Sequence, residues 1–394
     1  MSNVKNFLNK NGILVVLLLT MLLFEILITG AGRGSLFSPQ NLSNLIAQNG
    51  YVVILATGML LCILTGGNID LSVGSQVILV GAVAGIFIVE WGLDPYLSIV
   101  LCLAFGAGIG AWQAFWIAYM RIPPFIVTLA GMLAFRGIAL ILMGSQNIGP
   151  FPDSFKVLFN SSIPSSMVRG DNPGLVFTVS IIIAAVICGF IVLQQVLSRI
   201  HKQRKGYNLE NIVWAIIRTA VVIGVILFVA SRLGQHNGIP AVLILLGVIV
   251  LLYSYFTQNT IHGRYLYAMG GNAKAAQLSG INTKRMMFFA YTNMGFLASV
   301  AALVCVARFN LASTQAGTGY ELDAIGACFI GGASAYGGVG RVGGAVIGAI
   351  FMGVLNMGMS LLGWDQNLQR VIKGSVLLLA VIFDVLNKNR KQAA

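Results

Sequence analysis

The sequence predicts an all-α, polytopic membrane protein, and three observations carry the prediction. Hydrophobic residues make up 57% of the 394 residues, charged residues only 9%, and the mean hydropathy is +0.88, which leaves too little polar surface to cover a soluble domain. Apolar stretches of spanning length recur at about 12–29, 44–65, 75–92, 96–119, 124–143, 174–197, 211–231, 240–258, 286–306, 342–362 and 368–386. Basic residues gather at the ends of these stretches, as membrane topology requires. A further stretch, 321–337, is shorter and broken by glycines, so about 10–12 membrane or half-membrane helices are expected in one domain spanning 1–394.

The first stretch, Gly12–Ile28, follows Lys5 and Lys10 and could pass for a signal peptide. It is long for such a segment and no A-x-A cleavage site follows, so it reads as the first membrane helix. With the N-terminus inside and an even number of crossings, both termini are expected in the cytoplasm. Arg121, Arg199 to Lys205, Arg264 to Arg285, Arg341 and Lys388 to Lys391 then share that face. The net charge of +13 is dispersed at segment ends and never forms a face interleaved with aromatics, so nucleic acid is not an expected partner. Cys62, Cys102, Cys188, Cys305 and Cys328 sit inside apolar runs without CxxC spacing and read as small buried hydrophobes.

Between the spans, the long loop at 144–173 holds several prolines with enough Phe, Leu and Val to pack, as either a docking surface or a structured cap. The charged stretch at 198–211 reads as a topology-anchoring turn. Two other stretches break the helical pattern in corresponding ways. GGNIDLSVGSQ at 66–76 and GTGYELDAIGACFIGGASAYGG at 317–338 each join an acid–Leu pair to small residues. The helices preceding them run in opposite directions in this topology, which is the signature of an inverted repeat, with halves at 44–143 and 286–386.

Asp70, Glu321 and Asp323 are carboxylates in or near membrane segments, where charge is costly and therefore functional by default. Capping a helix start, contacting a translocated solute and carrying protons all remain open for them. Arg136 is a further charge inside a span, with no partner apparent in the sequence.

The polar island Ile261–Arg285 has a different character. Asn272 is placed to cap a helix, Ala273, Ala275 and Ala276 favour one, and Gly280 supplies a left-handed residue to end it after about two turns. A short helix outside the bilayer, flanked by Arg264, Lys274, Lys284 and Arg285, offers a low surface for another protein to grip. An ordinary cytoplasmic loop is the competing reading.

Nothing in the sequence argues for an enzyme, a metal or a cofactor. GVGRVG at 338–343 matches a dinucleotide fingerprint but lacks a preceding strand, and Gly340, Gly344 and Gly348 instead suit close helix packing. No phosphate-binding G-x-x-x-x-G-K-[ST] occurs, so any ATPase must be another chain. The three histidines, His201, His236 and His262, are expected in loops.

FSPQNLSNLIAQ at 37–48, LTGGNIDLSVGS at 64–75, IPPFIVTLAGMLAFRGIAL at 122–140, YAMGGNAKAAQLSGIN at 267–282 and AGTGYELDAIGACFIGGASAYGGVG at 316–340 resemble the monosaccharide permeases of bacterial ABC importers. The likeness is greatest to the xylose-type and multiple-monosaccharide permeases. It implies a non-enzymatic permease of the bacterial inner membrane that pairs with a second copy, receives sugar from an extracytoplasmic sugar-binding protein and docks ABC ATPase subunits. The family's coupling helix maps onto Gly270, Gly271, Asn272, Ala275, Ala276, Ser279 and Gly280, within a cytoplasmic loop at 259–285. Asn68, Asp70, Ser72, Ser75, Phe125, Thr128, Glu321, Asp323, Ser334 and Tyr336 are the candidates for the substrate pathway or its gate. An ion-coupled sugar symporter using Asp70 or Asp323, and a membrane scaffold or receptor without transport, are the rival readings.

Overall fold

A bilayer offers the backbone no hydrogen-bond partner, so a spanning segment must pair its own amides as a helix. Each apolar stretch of the sequence does so. The computed structural model describes residues 2–164, 173–205 and 212–393. The order is α1 (Ser2–Gly30), α2 (Pro39–Leu64), α3 (Val73–Gly85, continued by a π-helical turn over Ile86–Glu90), α4 (Pro95–Ala118), α5 (Pro124–Leu142), α6 (Asp153–Asn160), α7 (Pro173–Arg204), α8 (Ile212–Gly234), α9 (Ala241–Asn259), α10 (Ile261–Gly271), α11 (Ala273–Leu278), α12 (Thr283–Phe309), α13 (Tyr320–Ile330), α14 (Val342–Leu361) and α15 (Gln366–Ala393).

Among the described residues, 10 helices are long and apolar enough to cross a membrane. The glycine-broken stretch at 321–337 is not a full-length spanning helix: α13 has 11 residues and rises about 16 Å, half the hydrocarbon thickness. Helix α15 is long enough at 28 residues but carries Arg370, Lys373 and Asp384.

Local chemistry sets where helices start. The Ser38 hydroxyl accepts from the Asn41 amide at 3.3 Å, and one Asp94 carboxylate oxygen accepts from the Tyr96 and Leu97 amides at 2.9 and 3.1 Å; a proline follows each cap at the first helical position. Helices α2, α3 and α12 form the centre, with 78% of their spanning residues buried, against 11% for α8. Small residues let α12 and α4 touch: a Cβ on Gly295 would lie 2.3 Å from the Gly106 carbonyl oxygen. The glycines at 344 and 348 do the same for α14 against α13.

The 144–173 loop is a structured cap over the residues described, with Phe155 of α6 fully buried and β1 (Ser162–Pro164) paired antiparallel to β2 (Gly238–Pro240). Its remaining residues, 165–172, lie outside the described residues. The expected turn at 198–211 is helical as far as Arg204, because α7 continues past its apolar stretch; residues 206–211 lie outside the described residues. His201 and His262 stand on α7 and α10, not in loops. All five cysteines are buried and free.

Candidate functional site

Both glycine-broken stretches leave a helix, double back and begin a new helix inside the bundle. After α2 ends at Leu64, residues 65–72 return alongside it until the Asp70 amide donates to the Met59 thioether at 3.4 Å. After α12, Asn310 turns the chain in the left-handed region (φ 56°), and α13 begins with Tyr320 stacked on Tyr51 at the middle of α2, ring centroids 3.8 Å apart.

These two returning segments meet each other twice. A Cβ on Gly74 would lie 2.1 Å from the Gly317 carbonyl oxygen, and one on Gly67 would lie 2.0 Å from that of Ala335. Only glycine permits backbones to cross so closely. The corresponding motifs, separate in sequence, are therefore one structural element.

Around the first crossing the polar side chains form a hydrogen-bonded network that leaves Asp70 Oδ2 and Gln76 Oε1 buried without a partner among the described residues. Asp70 is fully buried, and its Oδ1 accepts from the Ser72 amide at 2.8 Å and the Ser72 hydroxyl at 2.6 Å. The Ser72 hydroxyl in turn accepts from Gln76 Nε2 at 2.7 Å and Gln113 Nε2 at 2.8 Å. Asp70 thus ties the turn that starts α3. Asn68 donates to the Thr65 hydroxyl at 3.0 Å, and Ser75 is buried on α3.

Asp323, 1% exposed, is held by three donors. Tyr51 donates its hydroxyl to Oδ2 at 2.7 Å, Asn356 donates to the same oxygen at 3.3 Å, and Lys373 lies 3.0 Å from Oδ1 while donating to Oδ2 at 3.3 Å. Helices α2, α13, α14 and α15 are joined through this one carboxylate. Glu321 is half-buried between the charges of Arg136 and Lys373, and Arg136 donates to the Thr318 hydroxyl at 2.6 Å, the partner the sequence did not reveal.

At the second crossing, Ser334 and the Ala335 amide donate to Asp384 Oδ2 at 3.4 and 3.1 Å, and Tyr336 is more than half exposed beside them. Two candidates lie on α5, one exposed and one buried. Phe125 is 55% exposed on the outside of α5, and the Thr128 hydroxyl bonds the Pro124 carbonyl of its own helix at 2.9 Å.

The polar island forms an elbow of two helices. Asn272 ends α10 and caps α11, its side chain accepting from the Ala275 amide at 2.9 Å. Gly280 then takes the left-handed conformation (φ 87°). Ala275 and Ser279 face outward, bonded by the Ser279 hydroxyl to the Ala275 carbonyl at 3.0 Å, whereas Ala276 is only 5% exposed. Leu278 is 84% exposed, a large apolar side chain on a helix with no apolar neighbour to cover it. At the other end of the elbow, Gly270 is pressed onto the end of α2 and the 331–341 loop: a Cβ there would lie 2.0 Å from the Leu64 carbonyl oxygen and 2.3 Å from the Gly338 nitrogen. Tyr267 secures the same junction by donating to the Gly340 carbonyl at 2.8 Å. A Cβ on Gly271, one residue on, would meet nothing within 4 Å.

Tyr51, Gln76, Gln113, Asn356, Lys373 and Asp384 were not anticipated as site residues. Lys373 and Asp384 were findable, since a charge within an apolar stretch is a signal by itself. The others carry no such mark.

The sequence profile of the family described as branched-chain amino acid transport system permease component matches residues 41–381. The chain is 36% identical over 378 residues to the xylose transport system permease protein XylH of Escherichia coli (strain K12), covering 96% of this chain and 92% of that protein. It is 36% identical over 364 residues to XylH of Haemophilus influenzae (strain ATCC 51907 / DSM 11121 / KW20 / Rd), covering 91% and 92%. With the ribose import permease protein RbsC of Escherichia coli (strain K12) it shares 34% identity over 374 residues, covering 95% and 93%. No solved structure matches.

Proposed function

The chain belongs to the family of branched-chain amino acid transport system permease components, and on that premise we propose that it is the membrane permease of an ATP-driven importer that carries a monosaccharide inward, xylose or a group of pentoses and hexoses. ATP is hydrolysed on separate subunits that grip the elbow at α11 from the cytoplasm. A sugar-binding protein delivers the solute outside, and a second copy of the permease completes the passage. The chain lies in the bacterial inner membrane with both termini cytoplasmic, an orientation supported by the basic residues that share the elbow's face.

The observation that carries the reading is the contact of Gly270 with both Leu64 and Gly338. It leaves no soft material between the exposed α11 and the crossing of the two returning segments. A push on α11 reaches the Gly67–Ala335 crossing through backbone against backbone, and packed elements of this kind switch between arrangements instead of yielding gradually. Loading the elbow therefore shifts the returning segments on which Asn68, Asp70, Ser72, Glu321, Ser334 and Tyr336 stand. Asp323 acts in the frame of the gate, because its Oδ2 is already engaged by Tyr51, Asn356 and Lys373 and its Oδ1 is ion-paired with Lys373.

Corresponding packing favours an inverted repeat over 44–143 and 286–386. Helix α2 packs on α14 as α12 packs on α4, α3 on α5 as α13 on α15, and α12 on α3 as α2 on α13. Alternating access follows if one half rocks against the other about the two glycine crossings.

The test is uptake of labelled xylose, ribose and galactose into liposomes holding the chain, with and without its ATPase and sugar-binding protein. Uptake is expected only with ATP and both partners, and Ala275→Arg on the outer face of α11 should abolish it while the permease still folds. Uptake driven by an imposed proton or sodium gradient, with the chain alone, would overturn the importer reading. ATP-dependent uptake that survives Ala275→Arg would overturn the role of the elbow.

A further inference from the structure

We propose that the cavity at the end of α12 remote from the elbow is a binding site for a sugar acid, its carboxylate held by Arg308 and its hydroxyls by asparagine side chains. The cavity measures about 220 Å³ and lies where the starts of α2 and α9, the end of α6, the β1–β2 pair and the last turn of α12 meet. None of the residues assigned to the passage, the gate or the elbow lines it. Sites for drug-sized ligands measure roughly 300–1,000 Å³, so this smaller space suits a ligand of monosaccharide size.

Its walls are tied in place before any ligand arrives. Strand β1 pairs Ser162 with Pro240 of β2, and the Ala241 amide donates to the Ser161 carbonyl at 2.8 Å, which joins the end of α6 to the start of α9. Phe159 packs on the fully buried Phe155 with ring centroids 5.6 Å apart, and its ring supplies an apolar wall for the C–H face of a sugar. Three amide side chains surround that wall. Asn44 stands on α2, Asn160 ends α6, and Asn237 precedes β2 with its Nδ2 3.4 Å from His236 Nε2. The side chains of Asn44 and Asn160 make no hydrogen bond among the described residues.

Arg308 decides the chemical class. It is half-buried in the last turn of α12, where a cation complements the helix dipole. Among the described residues it has neither an ion pair nor a hydrogen bond, and no Asp or Glu lines the cavity. A guanidinium stays charged and presents paired donors that match the two oxygens of a carboxylate. A neutral sugar would leave this cation without a counter-charge. A bare anion would leave the amides of Asn44 and Asn160 idle. A polyhydroxylated carboxylate answers both, because an amide side chain can donate to one hydroxyl and accept from the next.

The experiment uses the full chain purified in neutral detergent, titrated with galacturonate or xylonate and, in parallel, with galactose, xylose or acetate. Calorimetry and thermal unfolding read the binding. Saturable binding of a sugar acid is expected, with a rise in melting temperature that neither the neutral sugars nor acetate reproduce. Arg308→Gln should weaken it roughly thirtyfold, the loss of a charge-assisted pair, and Asn160→Leu about fivefold. Absence of binding by both sugar acids overturns the proposal, as does an unchanged affinity in Arg308→Gln. Equal binding of galactose or xylose removes the carboxylate from the recognition and overturns it too; equal binding of acetate reduces the cavity to a site for any anion, with the same consequence. Should Arg308→Gln not fold, hydrogen exchange on the native chain decides: protection by galacturonate within 159–162 and 236–242 supports the site, and protection only elsewhere overturns it. Binding is read without ATPase, sugar-binding protein or transport, so its outcome is separate from that of the importer reading.

Discussion

Gly270→Ala tests the junction on which the mechanism depends, with Gly271→Ala as its neighbour and control. An ordinary Cβ contact is at least 3.4 Å, whereas the new methyl at 270 would sit 2.0 Å from the Leu64 carbonyl oxygen, a shortfall of 1.4 Å. The obstructing atoms belong to the backbones of Leu64 and Gly338, so no side chain can swing aside. Helix α10 must retreat by more than 1 Å, which stretches the 2.8 Å bond from Tyr267 to the Gly340 carbonyl past useful length. Overpacking costs about 1–3 kcal/mol and the lost hydrogen bond about 0.5–1.5 kcal/mol, so a loss of roughly 2–4 kcal/mol is expected. At 271 the methyl meets nothing within 4 Å, and replacing glycine in a helix gains up to about 1 kcal/mol. Thermal unfolding of the two variants in the same detergent should separate them clearly, with Gly270→Ala lower than the native chain and Gly271→Ala equal or higher. ATP-dependent uptake should fall in the first and persist in the second. Identical melting and uptake in both would refute the reasoning, since the two positions differ only in what stands around them.

Three other outcomes follow from the same contacts. Lys373→Met leaves the Asp323 carboxylate buried without its cation and should cost about 3–5 kcal/mol, while Asp323→Asn with Lys373→Met should recover much of it; a double-mutant cycle on melting temperature measures the coupling. Asn272→Ala removes the cap on α11, worth about 1 kcal/mol, and should slow ATP-dependent uptake more than Asn272→Ser does in reconstituted vesicles. On α11 the buried and exposed faces should part company. Ala276→Arg should lower the yield of folded protein, whereas Leu278→Ala should change stability by less than about 0.5 kcal/mol yet reduce ATPase stimulation in the assembled complex.

Composition and periodicity by themselves determined that this chain is a helical membrane protein, because a spanning segment must be both apolar and internally hydrogen-bonded, and each condition leaves a local trace. The elbow was legible for a similar reason: Asn272 and Gly280 act within a few residues of where they stand, and the cap and the left-handed turn both formed as read. Asp70 and Asp323 were identifiable as costly charges, but not their partners. Whether Asp323 contacts solute or holds a frame depends on Tyr51, Asn356 and Lys373, which lie 272, 33 and 50 residues away. The tertiary structure alone decided that Gly74 meets Gly317, that Gly67 meets Ala335, and that a methyl at Gly270, but not at Gly271, would strike the opposing backbone. A glycine has no side chain to announce its neighbour, and contacts made by its absence of atoms appear only when the opposing backbone is in place.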